Sequence, residues 1–166
     1  MTTEEAVILS LEEKLPFLKG KLTSPAEKRV FSEFLDRNQF NRAVKVLREE
    51  TDFFRAHHVV GTDEGEDLGF HYLFSNTDHV ILVLKEKVPK KNPEIDSVTP
   101  FYPAFLLHEM ELQDLFGADI DGLPTKKHYP LPDNWPEGQY PMRKEWDPKK
   151  FNKDTMTYEE GGDSDE

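Results

Sequence analysis

A short apolar helix followed directly by a proline-rich segment limits the possible folds of this chain more than any other feature. Residues Pro103–Phe116 have helical periodicity, with Thr99 as the candidate N-cap and Gly117 as the left-handed residue that ends the helix. The segment after Gly117 is rich in proline and aromatic residues and has no helical or strand periodicity. Such a backbone loses little entropy when it becomes ordered along a surface. We therefore expect it to form an extended arm.

The predicted helix carries apolar residues on two sides, whereas an ordinary surface helix buries one face. The first stripe is formed by Phe105, Leu112, Leu115 and Phe116, and the second by Leu106, Leu107 and Met110. The carboxylates of Glu111 and Asp114 point outward between the stripes, so they need a cationic or N–H partner. We interpret the stripes as two packing surfaces, one against the chain's own sheet and one against another molecule.

The rest of the chain alternates between helical and strand periodicity. Helices are predicted over 2–15 and from Asp36 onward, and strands over 29–35, 53–62, 69–75 and 79–87. The run Val80–Leu84 is apolar on both faces, which is typical of a central strand covered on both sides. The order α-β-α-β-β-β-α predicts an α+β fold, a two-layer sandwich of helices on a mostly antiparallel sheet with an extended Pro-rich C-terminal arm.

The changes in composition divide the chain into three parts. Residues 1–117 are predicted to form a docking domain. Residues 118–152 form the C-terminal arm, which we expect to wrap a partner subunit. Residues 153–166 are acidic and rich in glycine and serine towards their end, and we expect them to be disordered.

The composition excludes several classes of function. The chain has no cysteine, so it cannot alone form a disulfide, an iron–sulfur cluster or a zinc–thiolate site. A net charge of -12 disfavours nucleic acid and anionic lipid as direct partners but suits a basic protein surface. No apolar run approaches the roughly 18 residues of a membrane span, and no signal peptide is visible. We therefore expect a cytosolic chain that meets a membrane only through partners.

Candidate catalytic and metal-ligating groups are few. The neighbours His57 and His58 would point to opposite faces of a strand, which disfavours chelation of a metal. Glu109, Glu111 and Asp114 are conceivable general acids, but nothing resembling a substrate pocket accompanies them. We therefore predict no catalytic, cofactor or metal residue in this chain. The three carboxylates are interpreted as partners of N–H groups or arginines at an interface with another protein.

Two blocks of the sequence, residues 108–117 and residues 131–144, resemble the NuoC-type (30 kDa) subunit of respiratory complex I and its relatives in energy-converting NiFe hydrogenases. The stretch His108–Gly117 is similar to the family signature Glu-Arg-Glu-x-x-Asp-Leu-Phe-Gly, with Met110 where complex I members usually carry arginine. The second block is carried by Leu131-Pro132-x-x-Trp135 and Pro141-Met142-Arg143-Lys144. Met110 favours the branch of archaeal membrane-bound hydrogenases and sulfane sulfur reductases.

The resemblance implies a non-catalytic peripheral-arm subunit of a membrane-bound, ferredoxin-linked respiratory complex. Its partners would be the NiFe-type large subunit and the small iron–sulfur subunit, with membrane subunits reached indirectly at the cytoplasmic face of the cell membrane. No cofactor is implied in this chain, since 4Fe-4S clusters, and NiFe where it is kept, belong to the partner subunits. The Cys-free, Glu/Lys-rich composition is typical of a thermophile.

The resemblance also implies which residues meet the partner. They are Glu109, Glu111, Asp114, Phe116, Gly117, Leu131, Trp135, Pro141, Met142, Arg143 and Lys144. Because the chain ends soon after the second block, we expect a stand-alone subunit rather than one fused to a catalytic domain. Two alternatives stay open: a subunit of a complex I-like NADH or F420H2:quinone oxidoreductase, and an independent enzyme that uses Glu111, Asp114 and His108.

Overall fold

The computed structural model describes residues 1–159, and the end of the predicted acidic tail lies outside this range. The helices are α1 (Thr3–Lys14), α2 (Arg37–Glu50) and α3 (Leu106–Phe116), with 3-10 turns at Pro16–Leu18, Pro103–Phe105 and Pro148–Lys150. The strands are β1 (Thr23–Ala26), β2 (Arg29–Phe34), β3 (Arg55–Asp63), β4 (Asp67–Ser75), β5 (Ile81–Pro89), β6 (Glu94–Asp96), β7 (Asp119–Asp121), β8 (Phe151–Asn152) and β9 (Thr157–Tyr158). All of the helices and strands predicted from periodicity are confirmed.

The first five strands form one sheet in the order β1-β2-β5-β4-β3, in which β2 and β5 are parallel and the other pairs are antiparallel. The predicted α+β fold and the central place of β5 are therefore confirmed. The prediction that both faces of β5 are covered is only half right. Leu82 and Leu84 are buried, whereas Ile81 and Val83 are half-exposed on the other face.

The helices α2 and α3 explain this asymmetry, because both pack on the same face of the sheet. Phe40 of α2 and Phe105, just before α3, contact Tyr72 of β4 with ring centroids 5.3 and 5.4 Å apart. The predicted apolar stripe of α2 is buried, and the side chain of Asp36 caps the helix by accepting the N–H of Gln39. The packing of α2 on the sheet, which its apolar stripe predicted, is thus confirmed.

The beginning of α3 differs from the prediction. The α-helix proper begins at Leu106, and no side chain caps it. Thr99 is not the N-cap, because its hydroxyl is buried and bonds the hydroxyl of Ser97 at 2.6 Å. The preceding segment is instead fixed by buried polar contacts that the sequence pattern does not reveal.

The short strands before α3 and after Gly117 were not predicted. The parallel pair of β6 and β7 has three residues in each strand, too few for an alternating pattern to be recognised. The predicted boundary between domain and arm falls inside packed structure, since Ala118, Ile120 and Leu123 are buried. The beginning of the tail predicted to be disordered is ordered as well, because β8 and β9 form a hairpin across residues 153–156.

Gly61 of β3 allows α3 to approach the sheet closely. A Cβ atom at this position would overlap the ring of Phe116. We expect Gly61→Ala to lower the free energy of unfolding by about 2 kcal/mol, because the ring has to move within a packed core. Urea denaturation measures this loss, which should shrink in a Phe116→Leu background. If Gly61→Ala were as stable as the wild type, α3 would not lie this close to the sheet.

Candidate functional site

The two sequence blocks meet in space at the C-terminal end of α3. The carbonyl of Leu115 accepts the N–H of Met142 at 3.1 Å, and the carbonyl of Phe116 accepts Nε of Arg143 at 2.7 Å. The last carbonyl groups of a helix have no partner within the helix, so the arm supplies the missing donors. We call this contact between residues 114–117 and residues 128–144 the arm junction.

Asp114 anchors the arm at this junction. Its side chain is 1% exposed, and one carboxylate oxygen accepts the N–H groups of Tyr129 at 2.7 Å and Leu131 at 3.1 Å. The other oxygen lies 2.9 Å from Nδ1 of His128. A carboxylate in this position was expected to need N–H partners, and it has them. They belong to the chain's own arm, however, and not to another molecule.

Gly117 is required at this junction for two reasons. Its φ of 71° is left-handed, which favours glycine at the end of a helix. A Cβ atom would also lie 2.5 Å from the ring of Tyr140. The guanidinium of Arg143 lies over that same ring, 4.4 Å from its centroid. The signature glycine therefore serves both the turn and the docking of the second block.

A second set of contacts holds the arm to the C-terminal ends of β3 and β5. One oxygen of Asp63 accepts the N–H of Lys144 at 2.8 Å and Nζ of Lys90 at 2.7 Å, and Lys90 also contacts Glu145 at 3.0 Å. Burial opposes the ionisation of Asp63, but the bonds from Lys90, Lys144 and Gly65 outweigh it and lower its pKa to about 2. Asp63 and Lys90 were not found from the sequence, because no local spacing connects them to the arm.

Glu109 lies in the core and not at a surface. It is 0% exposed, and its carboxylate accepts the N–H of Val98 at 2.8 Å and the hydroxyl of Ser97 at 2.6 Å. Burial raises the pKa of Glu109, although the hydrogen bonds act in the opposite direction. The expectation of a direct partner contact is thus not met at this position. Glu109 instead positions the segment that leads into α3.

Phe116 also faces inward, against the expectation of a partner contact. It is 5% exposed and packs on Phe70 with ring centroids 6.4 Å apart. Apolar surface remains exposed at Leu107, Met142 and Tyr129, which are 49%, 55% and 38% exposed. Of the predicted second stripe, Leu107 is exposed, Leu106 is half-buried and Met110 is buried, so the exposed part of this stripe is narrow.

The outer part of the arm packs on itself, which was not predicted. The ring of Trp135 lies 4.6 Å from that of Phe151 and 6.2 Å from that of Trp146, which in turn stacks on Tyr158 at 5.9 Å. Pro141, within the second block, is half-buried. These aromatic residues are irregularly spaced in the sequence, so no helical or strand periodicity indicates the cluster.

The residues of the alternative enzyme hypothesis, Glu111, Asp114 and His108, do not line one common pocket. A groove with a volume of about 510 Å³, which we call the junction groove, opens between Asp114 and the arm, and neither His108 nor Glu111 lines it. Nδ1 of His108 lies 4.0 Å from Glu111, and its ring packs on His58 at 4.5 Å between centroids. Burial and the neighbouring His58 lower the pKa of His108.

The described part of the chain provides neither a cluster of metal ligands nor a membrane-spanning helix. Within residues 1–159, no three histidine, aspartate or glutamate side chains are arranged to hold a metal ion. Among the helices of that same range, none combines the length and the apolar character needed to cross a membrane.

Comparisons with known proteins agree with the two-block resemblance. The sequence model of the family described as "Respiratory-chain NADH dehydrogenase, 30 Kd subunit" matches residues 34–152. The beta subunit of the membrane-bound hydrogenase of Pyrococcus furiosus is 30% identical over 151 residues, which cover 86% of each chain. A subunit of the F(420)H(2) dehydrogenase of Methanosarcina mazei is 29% identical over 146 residues, 85% of this chain and 90% of that one.

The fold is shared with a chain in a solved structure of the membrane-bound sulfane sulfur reductase, described as an archaeal respiratory membrane complex. The TM-score is 0.75 at 19% sequence identity, and the superposition covers 87% of this chain and 85% of that one.

Proposed function

The chain belongs to the family of the 30 Kd subunit of respiratory-chain NADH dehydrogenase, and on that premise we propose that it is a non-catalytic peripheral subunit of a membrane-bound, ferredoxin-linked respiratory complex. It docks on the NiFe-type large subunit, and the arm junction fixes the docking surface. The observation that carries this proposal is the meeting of the two sequence blocks at one junction. The buried polar groups there are engaged within the chain, so they shape a surface rather than perform a reaction.

The proposal extends to the surroundings of the chain. The electron-transfer cofactors, 4Fe-4S clusters and a NiFe site where it is kept, belong to the partner subunits. The chain lies at the cytoplasmic face of the membrane and is held there by its partners. The name of the Pyrococcus relative, a subunit of a membrane-bound hydrogenase, supports an association with a membrane-bound complex.

A hydrogenase or sulfane sulfur reductase is the complex that we favour. The Pyrococcus hydrogenase subunit and the sulfane sulfur reductase chain both match this chain over most of its length. Met110 is 7% exposed and packs in the core, so an arginine at this position would need a different local arrangement. The Methanosarcina relative supports the alternative of an F420H2-dependent quinone-type complex, since it is also matched along most of its length.

Charging the exposed apolar residues of α3 and the arm tests the proposal. We expect the double variant Leu107→Glu/Met142→Glu to lower co-purification with the large subunit at least about tenfold, because a charge would be buried in an apolar contact. The melting temperature should change little, since about half of each residue is already exposed to solvent. Affinity capture and mass spectrometry of the native complex measure the partner and its amount.

Leu9→Glu is the matched control, because Leu9 is 57% exposed on α1, away from the junction. It should co-purify like the wild type. Undiminished capture of the large subunit by the double variant would contradict the proposed docking surface. Phe116→Asp is unsuitable here, because burying its charge beside Phe70 would unfold the domain whether or not a partner binds.

A further inference from the structure

We propose that the junction groove receives an arginine side chain of the large subunit. This inference rests on the proposed function and adds the chemistry of the contact. The groove is aromatic and apolar along its walls and acidic at its rim. Its principal lining residues are Trp135, Tyr140, Leu131, Asp114, Asp119 and Glu137.

The aromatic wall is held in place before any partner arrives. The indole N–H of Trp135 donates to the carbonyl of Gln139 at 2.7 Å, and the ring packs on Phe151. A fixed ring binds a planar cation at low entropic cost, and a guanidinium within about 6 Å of an aromatic centroid is attracted by the ring. The chain already makes this contact once, where Arg143 lies 4.4 Å from the centroid of Tyr140. Arg143 lines a neighbouring cavity and leaves the groove free.

The charges around the groove favour a cation. Asp119 and Glu137 are exposed at its rim, and Asp114 lies at its base. Among the described residues that line the groove, His128 is the one basic side chain, and it is hydrogen-bonded to Asp114. Nζ of Lys126 lies 3.9 Å from Asp119, and 75% of the lysine side chain is exposed. Lys126 would therefore compete only weakly with an arginine for this carboxylate.

Arginine suits this site better than lysine. A guanidinium stacks on an aromatic face and also donates two parallel hydrogen bonds to a carboxylate, whereas an ammonium is a compact point charge. The groove provides both an aromatic wall and carboxylates. One of its walls comes from α3 and the other from the arm, so its shape depends on the contacts of the arm junction, among them those of Asp114.

The first experiment titrates the full chain with acetyl-arginine amide and, in parallel, with neutral acetyl-citrulline amide of almost the same shape. The indole N–H resonance of Trp135 reports binding in NMR spectra, and that of Trp146 serves as the internal reference. We expect a saturable shift of the Trp135 resonance with arginine, and at least about fivefold weaker binding of citrulline. Equal shifts with the two probes, or none with arginine, would overturn the inference.

The second experiment measures association with the large subunit. The double variant Asp119→Asn/Glu137→Gln should bind about fivefold more weakly, because it removes two carboxylates that face the cation. The double variant Glu13→Gln/Glu49→Gln removes the same net charge from α1 and α2, and it should bind like the wild type. If the wild type binds the large subunit and both variants bind equally well, the inference fails while the proposed function stands. If the wild type does not bind the large subunit, the proposed function itself fails.

Discussion

Raising the pH from about 5 to about 8 should lower the free energy of unfolding of this chain by about 3 kcal/mol, and Glu86→Gln should remove that fall. Glu86 of β5 is 1% exposed, and within residues 1–159 neither of its carboxylate oxygens has a hydrogen-bond partner. Burial and the nearby charges of Asp96 and Glu109 raise the pKa of Glu86 to about 8, although Arg37 opposes them. The carboxyl group is therefore protonated in the folded chain at neutral pH.

The direction of the pH effect follows from this raised pKa. Between the ordinary value of 4.5 and about 8, the folded chain holds a proton on Glu86 that the unfolded chain has lost. The stabilisation is complete below that window and is lost as the pH rises through it, at up to about 1.4 kcal/mol per pH unit. Burial raises the pKa of Glu109 as well, which acts in the same direction. Burial lowers the pKa values of His71 and His108. Through these two groups the folded chain becomes more stable as the pH rises towards 6.5.

Urea denaturation at several pH values measures the dependence. Glu86→Gln keeps the size of the side chain but cannot ionise, so its stability should change little, or rise slightly, over the same pH range. Glu13→Gln is the matched control, because Glu13 is exposed on α1, and it should keep the dependence of the wild type. A Glu86→Gln variant that loses stability with pH as steeply as the wild type would show that Glu86 is not the buried acid.

Asp114→Ala should release the arm and lower the free energy of unfolding by about 3 kcal/mol. The substitution removes an anionic acceptor from the N–H groups of Tyr129 and Leu131, and hydrogen bonds to a charged group contribute about 1.5–3 kcal/mol each. Asp114→Asn keeps one acceptor oxygen and should lose less. Amide hydrogen exchange at residues 129 and 131, combined with urea denaturation, measures both effects.

Glu111→Ala is the control for this prediction, because Glu111 lies on the same helix with 35% of its side chain exposed. It should leave the exchange of both amides unchanged. If the two amides stayed protected in Asp114→Ala, the arm would be held by contacts other than this carboxylate.

The sheet and its helices could be predicted from the sequence because their residues follow long, regular patterns. The α2 stripe from Phe40 to Leu47 and the apolar run at β5 are examples. Glu86 was overlooked, although it is in phase with the buried Leu82, Leu84 and Val88. A charged residue on the buried side of an alternating strand is the signal that could have identified it.

The arm junction could be predicted only in part. The two blocks contain Asp114, Gly117 and Arg143, but the sequence does not show that Asp114 binds the amide of Leu131 or that Arg143 binds the carbonyl of Phe116. Contacts such as that between Asp63 and Lys144 join residues that are 81 positions apart, and no local pattern encodes them. The aromatic cluster around Trp135 was missed for the same reason, since its members meet only after the chain has turned.

The most direct test of the proposed role is hydrogen–deuterium exchange of this chain, alone and in its native complex with the large subunit. We expect slower exchange in the complex over α3 and over residues 129–146, with little change in α1. Unchanged exchange in both regions in a complex that contains the large subunit would contradict docking through the arm junction.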